Sequence, residues 1–296
     1  MTVYLWPILF ALFVWWFSTG AIIYLDGLPR RTFKWSMLGA TALFGGALYG
    51  LWASRGDTTV NGAYIAFASA LIAWGWHEIS FYMGYVTGPR RHACEEGCDG
   101  IAHFGHALMV SLWHELAIVV SFGVVLWLTW DGANQIGRWT FVILWWMHES
   151  ARINVFLGVR NVNEHFLPPH LAYLKSFLKQ RPMNLLFPVS VTVSTIICAV
   201  LATEAALADN PFDQAGYTFL ATMMALAILE HWFLVLPVPA EAMWNWSMKS
   251  REAPRRHDTD TRRVVAQHGH AHPHAHGHDH GHRHAHAPIA RLRSAN

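Results

Sequence analysis

Membrane-length apolar runs recur along this chain and leave little choice of fold. They cover roughly Val3–Leu25, Trp35–Ala53, Val60–Tyr85, Ala102–Trp130, Asn134–Leu157, Leu185–Leu207 and Gly216–Leu236. A hydrocarbon layer about 30 Å thick takes about 20 apolar residues to cross as a helix. Inside lipid each backbone polar group must be satisfied within the protein, which a helix achieves by itself. The expectation is an all-α integral membrane bundle of about seven transmembrane helices. Its environment is a lipid membrane, not nucleic acid. Composition agrees, with 53% hydrophobic and 14% charged residues, far from the usual soluble balance. The first run is too long for a signal-peptide core and has no basic residues before it, so it is expected to remain as the first span. Cys94, Cys98 and Cys198 are too few for a disulfide framework.

Charge sets the expected orientation. Of the 21 Lys and Arg, 19 fall on the first, third and fifth connections with their flanks and on the C-terminal tail. Arg55 and Arg138 are left for the other side. The positive-inside rule then places the N-terminus outside and the C-terminus in the cytoplasm. Two domains are expected: residues 1–250 as the polytopic membrane part and 251–296 as a disordered cytoplasmic tail. Within the long fifth connection, His170–Lys179 spaces Leu171, Leu174, Phe177 and Leu178 helically with lysines opposite, which predicts a short interfacial helix.

Ionisable groups inside apolar spans are costly and usually face one another or a ligand. Ala102–Trp130 carries His103, His106, His114 and Glu115. On one continuous helix His103 and His114 would lie about 20° apart, and all three imidazoles would share a face of about 80°. Three further spans repeat the pairing as His77-Glu78, His148-Glu149 and Glu230-His231. With the orientation above, all four sets fall in cytoplasmic halves of their helices, which predicts one polar core. His77, His106, His114 and His231 are its candidate ligands, and Glu78, Glu115 and Glu230 its co-ligands or acceptors that orient the imidazoles. His103, His148 and Glu149 complete the candidate set, with Arg152 one turn later as their charge partner.

Three occupants of such a core stay open. Imidazole with carboxylate suits iron, zinc or manganese. A single buried imidazole can instead ligate a tetrapyrrole, with Trp and Phe packing the macrocycle. Or the groups only hydrogen-bond helices together. Catalysis is open too, since such a core suits a di-iron membrane enzyme as well as a non-catalytic scaffold.

Two features lie outside that core. Cys94-xxx-Cys98 sits in a polar loop beside His92, a spacing that can hold a metal but has no obvious second ligand pair there. Two free thiols are the plainer expectation. In the tail, His268, His270, His272, His274, His276, His278, His280, His282, His284 and His286 alternate with other residues. That segment cannot build a core, but it can bind divalent metal in many geometries.

Whole phrases also resemble a family. They are WWFSTGAIIYLDGLP (15–29), WGWHEISFYMGYVTGPRR (74–91), LWHELAIV (112–119), ARINVFLGVRNVNEHFLPPHLAYLKSF (151–177), NLLFPVSVT (184–192) and EHWFLVLPVP (230–239). In order and over about residues 3–246 they resemble PuhE, the photosynthetic-complex assembly membrane proteins of purple-type phototrophic bacteria. The His-rich tail lies outside the likeness. The resemblance implies a role in bacteriochlorophyll supply or photosystem assembly, with reaction-centre or antenna polypeptides and bacteriochlorophyll enzymes as partners. It also implies the bacterial inner (cytoplasmic or intracytoplasmic photosynthetic) membrane. It implies no established reaction, cofactor or catalytic residues; beside an accessory role, the alternatives are a di-iron enzyme acting on a bacteriochlorophyll precursor and a non-catalytic scaffold.

Overall fold

The structure is a computed structural model that describes residues 2–95, 97–162 and 164–251. The tail from residue 252 with its ten alternating histidines lies outside the described residues. Among the described residues eight α-helices follow one another: α1 Thr2–Asp26, α2 Phe33–Ser54, α3 Val60–Tyr82, α4 Gly100–Met109, α5 Leu112–Thr129, α6 Ile136–Leu157, α7 Leu186–Leu207 and α8 Pro211–Val235. Among the described residues there is no β-strand beyond one isolated bridge, Val159 to Gln180. Among the described residues five segments are long and apolar enough to cross a membrane: Val3–Asp26, Arg30–Ser54, Leu112–Thr129, Leu186–Leu207 and Pro211–Val235. This is the pattern of a multi-pass membrane protein. α3 and α6 have the length, but each carries a His-Glu pair, and α6 adds two arginines, which lowers its hydropathy.

Burial is inverted relative to a soluble bundle. Large apolar side chains such as Leu43, Val120, Trp127 and Ile196 point outward, as lipid demands. Small and aromatic residues fill the inside. α3, α6 and α8 pack around Ala63, Phe67, Met147, Phe219 and Met223, with Phe67 and Phe219 stacked at 4.3 Å between centroids. A second cluster joins α2, α3, α5 and α6 through Leu51, Ala70, Trp74, Ile118 and Phe141. Close approach depends on small residues: a Cβ on Gly137 would sit 2.3 Å from Leu51 Cδ2.

The fourth predicted span is not one helix. The chain breaks at Val110 and Ser111, so α4 and α5 are separate elements. The break is stabilised from outside. Arg90 N donates to Met109 O (3.3 Å) and His114 N donates to Thr87 O (2.9 Å), so the loop after α3 satisfies backbone groups that the interruption frees. Gly88 makes this possible, since a Cβ there would fall 2.1 Å from Met109 O and 2.7 Å from Ser111 N. The face shared by His103, His106 and His114 on a continuous helix therefore does not exist.

Two ends also differ from expectation. α6 starts at Ile136 because Asn134 stays outside the helix, where Nδ2 donates to Gly62 O (2.9 Å) and Oδ1 accepts from Ile136 N (3.2 Å). α8 starts earlier than expected, at Pro211, capped by Asn210 Oδ1 accepting from Asp213 N (2.9 Å). In the long connection the helix expected at His170–Lys179 is a 3₁₀ helix over Pro169–Phe177 with Leu171 and Phe177 buried.

Candidate functional site: a buried histidine cluster and a cysteine–histidine cluster

The polar residues read as one core separate into three settings. The first is the interior between α3, α5 and α6. His77, His114 and His148 are gathered there, with ring centroids 6.3 Å apart for His77–His114 and 5.7 Å for His114–His148. His77 is completely buried and His114 nearly so. Trp74 packs 5.3 Å from the His148 ring and Phe81 packs 4.7 Å from the His114 ring. His148 Nδ1 lies 3.5 Å from Glu78 Oε1. Candidate ligand atoms of Glu78, His114 and His148 all fall within 4.8 Å of one another. Both ring nitrogens of His77, Nδ1 of His114 and Nε2 of His148 are buried without a hydrogen-bond partner among the described residues. Buried polar atoms are nearly always satisfied, so this concentration marks a place where a partner belongs.

Beside it lies a charged cap. Arg152 on α6 reaches Glu115 of α5 and lies 3.4 Å from Glu149. Its Nη2 donates to Ser111 Oγ at 2.5 Å. Glu115, Glu149 and His148 also have ligand atoms within 4.8 Å of one another, but the Arg152 guanidinium holds the two carboxylates. The residue one turn after His148-Glu149 is thus their counter-charge. Ser111, at the helix break, was not a sequence candidate; nothing in a continuous-helix reading distinguishes it.

The second setting is α8. His231 is fully satisfied: Nδ1 donates to Ala227 O (2.8 Å), which leaves Nε2 to accept from Ser150 Oγ (2.9 Å). Glu230 Oε1 accepts from Trp15 Nε1 at 2.8 Å. This pair fastens α8 to α6 and α1, and neither member joins His77, His114 and His148.

The third setting is the loop after α3 together with α4. His106 Nδ1 lies 3.2 Å from Cys98 Sγ and 3.5 Å from Cys94 Sγ. His103 Nδ1 lies 3.4 Å from Cys94 Sγ, and its ring stacks between Phe156 (5.5 Å) and Phe177 (5.4 Å). His92, the neighbour expected from sequence, instead turns Nδ1 toward Ala93 O at 3.3 Å and is exposed. The Cys98 thiol is pushed above its ordinary pKa, chiefly by its hydrogen bond with Cys94. Nearby, His170 Nε2 donates to Tyr82 O (2.8 Å), and burial holds that imidazole below its ordinary value of 6.5.

With this geometry in view, the comparisons place the chain. Residues 1–255 match the family described as "Protein of unknown function (DUF3623)". The chain belongs to that family. It is also 39% identical over 247 residues to a protein of Rhodobacter capsulatus named "Uncharacterized 30.4 kDa protein in puhA 5'region", covering 82% of this chain and 90% of that protein. No solved structure matches the chain.

Proposed function

We propose that this protein is an accessory factor of bacterial photosynthesis, acting through one metal ion held among Glu78, His114 and His148. In this reading it supports bacteriochlorophyll synthesis or delivery and the assembly of reaction-centre and antenna complexes. The photosynthetic role draws support from the Rhodobacter capsulatus relative, whose name places it in the puhA 5' region, and from the PuhE phrases in the sequence. The metal reading rests on one observation: imidazole and carboxylate atoms within 4.8 Å of one another, with neighbouring ring nitrogens buried and unpartnered. The same seven long helices are read as seven spans, N-terminus outside and C-terminus cytoplasmic, from the distribution of Lys and Arg. The membrane is read as the bacterial inner membrane, cytoplasmic or intracytoplasmic.

Two arguments narrow the occupant. A macrocycle would have to displace Trp74, Phe81 and Phe141, which pack directly on the three imidazoles, whereas a single ion needs no such opening. Arg152 holds Glu115 and Glu149, so the carboxylates a second metal would need are already engaged, which argues for one ion and against a di-iron pair. A tetrapyrrole on His77 is kept as the second reading because both nitrogens of that ring are unpartnered and Trp74 and Trp76 flank it.

Metal and pigment analysis of full-length protein and its His114→Ala variant tests the proposal. The expected result is one metal per chain fewer in the variant, together with loss of pigment accumulation in cells. Bound tetrapyrrole in the wild type that is lost with His77→Ala moves the assignment to the second reading. Unchanged metal and normal pigment in His114→Ala overturns the metal reading, and tetrapyrrole absent from the wild type or retained in His77→Ala overturns the second.

A further inference from the structure

We propose that Cys94, Cys98 and His106, with His103 as the nearest further donor, form a structural zinc site that clips α4 to the loop following α3. The inference does not rest on the function proposed above, because it uses none of the same residues. Paired thiols at C-x₃-C spacing with imidazole nitrogen nearby are donor types that structural zinc uses, although H-x₂-H is one residue tighter than the usual histidine pair. The distances suit ligand atoms gathered around one ion as well as they suit hydrogen bonds to sulfur. Zinc bonds of about 2.3 Å to sulfur and about 2.05 Å to nitrogen in a tetrahedron separate the two ligand atoms by about 3.6 Å. The sulfur–nitrogen separations here are 3.2, 3.4 and 3.5 Å. Cys94, Cys98 and His106 present ligand atoms within 4.8 Å of one another; His103 stands outside that group, its Nδ1 approaching Cys94 Sγ at 3.4 Å.

The surroundings are built to hold these four. Cys98 N donates to Glu95 O (3.2 Å), closing a tight turn in which Gly97 takes φ +82°. A side chain would be strained there. Cys94 N donates to Ser176 Oγ at 3.0 Å, and Arg90 Nη2 donates to Ala93 O at 3.1 Å. Asp99 caps α4 by accepting from Gly100 N (2.8 Å), which sets the first turn that carries His103. Phe156 and Phe177 clamp the His103 ring, fixing which nitrogen faces the sulfurs. Two thiols and an imidazole already in place, with His103 drawn in as the fourth ligand, would leave no position for substrate, so the role proposed is structural. The clip restrains α4, ten residues long and too short to be firmly held by its own hydrogen bonds.

Cobalt(II) substitution of the full-length protein in detergent tests this. The His-rich tail binds cobalt without sulfur, so the thiolate-to-cobalt charge-transfer band reports the clip alone. One thiolate-ligated cobalt per chain is expected, with the band abolished in Cys94→Ser/Cys98→Ser and retained in His92→Ala and His114→Ala. His106→Ala should weaken binding by more than about 100-fold, since even loss of a group supporting a ligand costs 10–100-fold. A variant-free check is alkylation of the wild type with and without zinc: zinc should shield Cys94 and Cys98 but leave Cys198 unchanged. No thiolate band in the wild type, a band that survives the double serine variant, or no shielding overturns the site.

Discussion

Two groups of histidines begin within eleven residues of each other, yet they end in opposite environments. His114 is enclosed between α3, α5 and α6, facing other imidazoles and carboxylates. His103 and His106 sit on α4 against two thiols and a loop. A two-residue interruption separates them. Had the helix continued, apolar spacing would have carried all three into the bundle. Because Gly88 and the Thr87–Arg90 backbone dock on the break, α4 leaves the bundle and its histidines meet softer ligands. The comparison teaches that helix breaks sort chemistry: hard carboxylate donors stay inside and sulfur donors gather at the edge, so each site suits different metals.

Removing the counter-charge should do the most damage to the inner site. Arg152→Met leaves Glu115 and Glu149 without their cation. The expected cost is about 3 kcal/mol, the lower end for uncovering one member of a buried ion pair because part of the cluster is exposed. Thermal unfolding in detergent reads this. Adding Glu115→Gln should recover part of the loss, and no recovery would mean Arg152 acts only through packing. The cobalt–thiolate band should be untouched.

Gly88→Ala is expected to strike both groups together. Its Cβ would meet backbone rather than a mobile side chain, so the loop must move, at about 1–3 kcal/mol. Metal occupancy of the inner site and the cobalt–thiolate band should both fall. If one falls and the other does not, the break is not the shared support of the two sites.

His231→Gln sharpens the contrast between ligand and fastener. His231 is satisfied by Ala227 O and Ser150, so its replacement should cost about 1 kcal/mol of stability and leave metal content unchanged. A fall in metal would return His231 to the inner site.

The smallest effect concerns pH. His170 is held below its ordinary value of 6.5 by burial first, so folding favours its neutral form. The contribution is present at pH above 6.5 and declines as acidification passes through the unfolded value toward the lower folded one. Limited proteolysis of the 158–184 connection should therefore speed up slightly below pH 6.5, and less so in His170→Gln. Equal acid sensitivity in both proteins would remove His170 from the account.

Much of this protein was determined by local composition. Apolar runs specified seven long helices, since a run of about 20 apolar residues has few other stable states in lipid. The cost of isolated charge in such helices singled out His77, His106, His114 and His231 as ligands, with His148 and Arg152 in the wider set; of these, packing gathers only His77, His114 and His148. Tertiary structure decided the rest. Whether Val110–Ser111 continues or breaks depends on a loop more than twenty residues earlier, and periodicity carries no information about that docking. The same event moved His103 and His106 to Cys94 and Cys98, a pairing hidden while those histidines were assigned to a span. His231 and Glu230 share the composition of the other pairs but are answered by Ser150 and Trp15, distant residues that only packing brings near. Sequence periodicity assigns a side chain to a face; which atoms wait across that face is set by how the helices pack.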